Sequence, residues 1–286
     1  MSLEIRRMTE NEVKEYALGW SFNEGWNPGL NDAESFFAAD PQGYFIGFLN
    51  GEPIGCMSAV AYDDNYGFLG FYIVREEYRG KGYGIKIWNE AISYLGDRII
   101  GLDGVVSQQS NYMKSGFHSD YTTCRYTWKN RKIELKEDSQ NITLVSFNDV
   151  SLDEFIEYDG NMFPAQRKNF LIKWCSNPEG VCRVATKNNV IVGYIVARKT
   201  NNGYKIGPLF SDNRDIAILL IQAISSILPE QTTLFLDIPD YNNELKDFIQ
   251  EYELQPVFQT ARMYKNGTPK INYPQNVFGV SSLELG

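Results

Sequence analysis

The chain of 286 residues has a single histidine, His118. Ser–His or Cys–His catalysis therefore has one candidate base, and His118, just after Gly116-Phe117, reads as an exposed loop residue. The four cysteines, Cys56, Cys124, Cys175 and Cys182, form no C-x-x-C pair. With one histidine, that leaves no conventional zinc ligand set, and no metal is expected. There is no G-x-x-x-x-G-K-[ST], which removes the P-loop nucleotide hydrolases. Basic residues are in the minority, 27 Lys+Arg against 36 Asp+Glu. This argues against nucleic acid or an anionic membrane as partner, and fits a cationic substrate such as an amine. No apolar run approaches membrane-spanning length, and the opening MSLEIRRMTE lacks the apolar core of a secretion signal. A cytoplasmic setting with reduced thiols is the expectation.

What the chain does have is length and apolar content (43% hydrophobic) enough for two domains. Its organising stretch is Phe68–Leu95. Phe68–Val74 is an apolar run suited to a buried strand. Arg79-Gly80-Lys81-Gly82-Tyr83-Gly84 follows as a glycine-spaced loop. Ile85, Trp88, Ala91, Ile92 and Leu95 then recur at helical spacing. Strand, glycine loop and helix in that order present unpaired backbone N–H groups to an anion. Glycine lets the backbone approach closely, and Arg79 and Lys81 add charge. The plainer alternative is a glycine-rich turn with two exposed basic residues. A dinucleotide fingerprint fits poorly: Gly84 falls one position early, although Asp103 lies at about the distance of a ribose-binding acid.

In order, a strand over Leu3–Arg6 leads to a Thr9/Glu12 capping box and a helical face of Val13, Tyr16, Ala17 and Trp20. Phe22–Asp32 is a turn-rich loop with carboxylates Glu24 and Asp32. A helix over 32–39 precedes two strands, Tyr44–Leu49 and Ile54–Tyr62, joined by Asn50-Gly51. After the organising stretch come a strand at Ile99–Asp103, a short helix at Gln108–Ser115 and a strand at Tyr121–Trp128. Asp63 and Asp64 read as turn residues. Lys129–Asn141 is polar and reads as a domain boundary. The order then repeats: a strand at Ile142–Phe147, helices at Leu152–Tyr158 and Gln166–Trp174, a hairpin across Asn188-Asn189, a strand at Tyr204–Phe210, a helix at Ile216–Leu228, a strand at Leu234–Ile238, a helix at Asn243–Glu251 and a strand at Phe258–Tyr264. The tail to Gly286 has no assignment. Leu102-Asp103 echoes Leu236-Asp237, and Thr123-Cys124-Arg125-Tyr126 echoes Thr260-Ala261-Arg262-Met263-Tyr264. The fold class is α+β, a mixed sheet flanked by helices, in two copies: residues 1–130 and residues 141–286. In the second copy the loop is Ser211-Asp212-Asn213-Arg214-Asp215. It has no glycine and two carboxylates, which would repel a diphosphate. Only the first copy is expected to bind a cofactor.

The R-G-x-G-x-G loop behind its strand closely resembles the pyrophosphate loop of the GNAT N-acetyltransferase superfamily. Asn111-Tyr112-Met113-Lys114-Ser115-Gly116-Phe117 is similar to that family's L-Y-E-K-x-G-F segment. The resemblance covers about Leu3–Trp128, and the degenerate second copy resembles a two-domain subfamily. It implies tandem GNAT-like acyl-CoA N-acyltransferase folds, with acetyl-CoA as co-substrate and direct transfer to a small-molecule or peptide amine. It also implies that Tyr72, Ile73 and Val74 bind the pantetheine arm and thioester, and that Arg79–Gly84 hold the pyrophosphate. Tyr112 would protonate the departing thiolate. A packing aromatic on a short helix is the plainer reading of Tyr112. The strand before the loop carries no carboxylate, so the base is open. Glu24 and Asp32, with Trp26 and Asn27 beside them, lie where the acceptor site commonly borders. Each carboxylate could equally be a loop residue or, for Asp32, a helix cap. Asp159, Arg167 and Trp174 could reach an interdomain cleft. Other readings are a non-catalytic acyl-CoA-binding or sensor protein, transfer of a longer acyl group, and a nucleotide-binding module. A monomer and a homodimer are both compatible with the sequence.

Overall fold

The computed structural model describes residues 2–131 and 141–286. Most of the boundary predicted at Lys129–Asn141 lies outside the described residues. The strands are β1 (Leu3–Arg7), β2 (Tyr44–Leu49), β3 (Glu52–Ala61), β4 (Tyr66–Val74), β5 (Ile99–Val105), β6 (His118–Lys129), β7 (Ile142–Val145), β8 (Gly180–Lys187), β9 (Val190–Thr200), β10 (Gly203–Ser211), β11 (Thr233–Pro239), β12 (Gln255–Lys265) and β13 (Val277–Gly279). They form one sheet in the order β1-β2-β3-β4-β5-β12-β6-β11-β10-β9-β8-β7, with β13 beside β10. β4–β5 and β10–β11 are parallel pairs; the neighbouring pairs β3–β4 and β9–β10 are antiparallel.

Local chemistry accounts for the elements. Asn50 and Gly51 both take positive φ (53° and 87°), the conformation a tight hairpin requires, and so do Asn188 and Asn189. Thr9 and Glu12 make the capping box. His118 is exposed but opens β6 instead of lying in a turn. The helix Tyr83–Leu95 buries Ile87, Trp88, Ala91 and Leu95. Ile85, predicted to share that buried face, is 51% exposed. Two apolar rows run along this helix, and the sheet takes the row through Ile87, Ala91 and Leu95.

The two halves do not keep their strands to themselves. β12, from the second half, lies between β5 and β6, and β6, from the first, lies between β12 and β11. Each half thus ends on the other's last strand. The echoed residues meet crosswise in register: Arg262 faces Asp103, and Arg125 faces Asp237. Both arginines are bidentate, Arg262 to Asp103 at 3.1 and 2.7 Å and Arg125 to Asp237 at 2.6 and 2.8 Å. A second seam joins the helices Asp32–Ala39 and Lys168–Cys175, where Phe36 stacks on Trp174 with ring centroids 5.6 Å apart. Burial of such large rings contributes on the order of 2 kcal/mol each. Among the described residues, no helix is long and apolar enough to cross a membrane.

Candidate functional site

β4 and β5 are paired only from Tyr66–Leu69 to Ile99–Leu102. Beyond Leu69 the strands part. The register with β3 also shifts between Cys56 and Ser58, and Phe71 on β4 takes φ 48°. The splay opens a cavity of about 830 Å³, lined by Gly70–Val74 on one side and by Asp103 and Val105 on the other. Its mouth carries Arg79, Gly80, Gly82 and Gly84. Gly80 and Gly82 have φ 72° and 78°, and a Cβ at either would meet nothing within 4 Å. Gly82 caps the helix Tyr83–Leu95 with no side-chain hydrogen bond, so the first-turn N–H groups have no side-chain cap. An uncapped helix N-terminus behind open glycines is an arrangement that can receive an anion.

The predicted cofactor residues gather here, with two qualifications. Lys81 donates to the Glu77 carbonyl (2.7 Å) and, with Tyr83, lies outside the cavity lining. Arg79 donates to the Val74 carbonyl (2.6 Å) and also pairs with Glu24. Glu24 is therefore at the mouth with its charge already matched.

Tyr112 lines the inner wall and stacks on Trp88, with centroids 5.7 Å apart. Its ring fits against Gly104, where a Cβ would lie 2.4 Å away. Burial, reinforced by Tyr72, pushes its hydroxyl up to about 12. The group holds its proton at any physiological pH.

Trp26 lines the cavity, but Asn27 is buried outside it. Asp32 is also outside. It is buried in an ion pair with Arg198 and accepts from the Gly29 N–H (2.8 Å). It neither borders the cavity nor caps its helix, whose N-cap is Asn31. The role expected for it in acceptor chemistry gives way to a structural one: it fastens the loop 22–32 to β9. Leu30 N–H donates to the Lys199 carbonyl there (2.9 Å). Asp159, Arg167 and Trp174 likewise lie outside the cavity lining; Arg167 and Asp159 form a buried bidentate pair at 2.8 and 2.7 Å.

Sequence reasoning missed the floor. The segment 277–286 is buried throughout. Leu283 and Glu284 line the cavity, and a Cβ on Gly70 would lie 2.1 Å from the Glu284 carbonyl. Arg125, Phe258 and Thr260 reach the cavity through the exchanged strands. Only the echo of Asp103/Arg125 in Asp237/Arg262 hinted at this.

The second half repeats the geometry and closes it. β10 parts from β11 after Ile206, opposite Leu236. There β13 pairs with β10, and the Val280 N–H donates to the Asp237 carbonyl (3.0 Å), so the chain fills the second splay. A Cβ on Gly207 would meet the Val280 and Ser281 carbonyls at 2.5 Å. The helix Arg214–Ile227 is capped by Asn213, whose side chain accepts from the Ile216 N–H (3.1 Å).

Residues 7–117 match a profile described as the acetyltransferase (GNAT) family, and residues 155–279 one described as an acetyltransferase (GNAT) domain. A holothin acyltransferase of a Pseudoalteromonas strain is 31% identical over 268 residues, covering 93% of this chain and 89% of that protein. A putative acetyltransferase from Pyrococcus horikoshii superposes with TM-score 0.81 at 20% identity, over 99% of this chain and 96% of the other. A tandem GNAT protein from the clavulanic acid biosynthesis pathway gives 0.68 at 13% identity, over 94% and 100%. The chain belongs to the GNAT acyltransferase family and carries two GNAT units in tandem.

Proposed function

We propose that this protein is an acetyl-CoA-dependent N-acetyltransferase acting on a primary amine, with its cofactor site in the first unit alone. The observation that carries this is the contrast between the two splays. One is open, glycine-cradled and faced by an uncapped helix; the other is filled by β13 and capped by Asn213. The residues fit the cofactor: open space at Gly80 and Gly82 admits a diphosphate, and the slot along Tyr72–Val74 admits an extended arm. The thioester supplies an activated acyl carbon. Backbone N–H groups of β4 beyond Leu69, where β5 no longer pairs with it, would polarise its carbonyl oxygen. Tyr112 hands a proton to the leaving sulfur. The second unit holds the loop bearing Trp26 through Arg198 and Lys199, and so shapes the acceptor side. A cytoplasmic setting supplies the donor.

Calorimetric titration with coenzyme A should give a stoichiometry of one per chain; two sites would remove the assignment of the second unit. Tyr112→Phe should lower turnover about 10²-fold while coenzyme A affinity stays within twofold. Because the hydroxyl titrates at about 12, the wild-type rate should show no falling limb from Tyr112 between pH 6 and 10. Full activity in the Phe variant would eliminate the general-acid role. Thiol release from acetyl-CoA across a panel of primary amines tests the activity as a whole.

A further inference from the structure

Among the described residues, three carboxylates line the cavity: Glu24, Asp103 and Glu284. Their partners differ. Glu24 is matched by Arg79 at the mouth. Asp103 is closed by the bidentate guanidinium of Arg262. Among the described residues, Glu284 has one long ion-pair contact, 3.5 Å to the Lys205 ammonium, and both side chains are nearly buried, 5% and 2% exposed. That lysine is itself shared, since it donates to the Trp26 carbonyl at 3.4 Å. Position matters as much as pairing. The backbone of Glu284 lies against Gly70, the first β4 residue beyond the last paired one, Leu69. An arm that enters at Gly80–Gly84 and follows Val74, Ile73 and Tyr72 inward ends at that apex. The half-buried Trp26 and the apolar Leu283 lie on the same wall.

We propose that Glu284 is the base on the acceptor side: it receives the acceptor as an ammonium group at the apex of the splay and takes its proton. This rests on the acyltransfer reading above and assigns the base that the sequence left open. A nearly buried carboxylate whose ion-pair contact is long attracts a cation more strongly than one in bulk water. The charges facing it are Lys205 from β10, Arg125 from β6 and Asp103 from β5, with Asp237 of β11 behind Arg125. Asp103 and Asp237 are each matched by an arginine, which leaves Glu284 to meet the incoming charge. The atoms balance. The ammonium loses two protons as the C–N bond forms and the C–S bond breaks. One passes to Glu284 and on to solvent. The other replaces the proton that Tyr112 gives to the sulfur.

The test compares wild type with Glu284→Gln, Glu284→Asp and the double variant Lys205→Met/Glu284→Gln, which removes the lysine the single variant strands. Thiol release from acetyl-CoA is followed with the best primary amine of the panel. Coenzyme A affinity and amine affinity in the presence of coenzyme A are measured by calorimetry. Both Gln variants should bind coenzyme A as wild type does, bind the amine at least tenfold more weakly, and lose about 10²-fold in kcat/KM. Their deficit should shrink as pH rises toward the amine's own pKa, where free amine needs no base. Glu284→Asp should retain part of the rate. Unchanged turnover in both Gln variants overturns the proposal, as does a loss that is independent of pH or matched by lost coenzyme A affinity. A wild type that binds no coenzyme A, or binds it and acylates no amine, overturns the acyltransfer reading instead.

Discussion

Gly82→Glu should leave a folded protein with no measurable coenzyme A binding, a loss greater than about 10²-fold. Gly82 sits at φ 78° with empty space around it. The new side chain meets no protein atom at its Cβ, and the backbone strain is about 1 kcal/mol. An acidic group at a helix N-terminus is favourable for the helix itself. The fold is therefore expected to tolerate the change. The binding site is not, because the carboxylate occupies the space and the dipole that the diphosphate needs. Gly82→Ala separates the two contributions: it brings the strain without the charge, and should weaken binding about fivefold or less, the equivalent of that 1 kcal/mol. Calorimetry on both variants is sufficient. Tight binding by the Glu variant would move the cofactor away from this loop.

Arg262→Met should destabilise the protein by about 3–5 kcal/mol, because it leaves a buried carboxylate without its cation. Which carboxylate is stranded reveals the topology. The side chain of Asp103 is fully buried, and its partner is Arg262 of the other unit. Burial already raises the Asp103 carboxyl against the pull of that guanidinium. Adding Asp103→Asn to Arg262→Met should recover most of the loss in chemical denaturation, as removing both charges of a buried pair often does. Adding Asp237→Asn should not, because it strands Arg125 in turn. In a protein whose two units each kept their own last strand, Arg262 would face Asp237, and the rescue would swap partners. A rescue by Asp237→Asn alone would refute the exchange of β6 and β12.

Much of the fold is legible in the chain because it is local. The helix Asp32–Ala39 and the strand Tyr44–Leu49 fall where the pattern places them. The hairpins follow from Asn-Gly and Asn-Asn, and the glycine loop from its spacing between an apolar strand and an amphipathic helix. The parts that stay hidden are those that periodicity does not carry. The residue pattern marks Tyr121–Trp128 and Phe258–Tyr264 as strands, within β6 and β12, but not which edge each one joins. The echoes, Asp103 with Asp237 and Arg125 with Arg262, carry no pairing in the sequence; only the sheet order shows that each arginine meets the other unit's aspartate. The segment 277–286 has the apolar content of a core strand, but two prolines, Pro269 and Pro274, separate it from the rest. Asp32 was legible as a carboxylate in a functional loop. Its burial depends on Arg198, which is 166 residues away in sequence.

The exchange of last strands also has a consequence for how the protein is made. Every residue of the glycine loop and Tyr112 leaves the ribosome before any residue of the second unit. At that moment β5 has an open edge, Asp103 has no Arg262, and the cavity has no floor. Those parts arrive only with residues 255–265 and 277–286, translated well after the glycine loop and Tyr112. The nascent first unit therefore has the glycine loop before it has the cavity walls, and activity should appear only once residues 255–286 have been made. For the same reason, a gene cut after residue 131 would not return a simpler single-unit enzyme unless Arg125 swung back to Asp103 and β6 took up the place that β12 now holds.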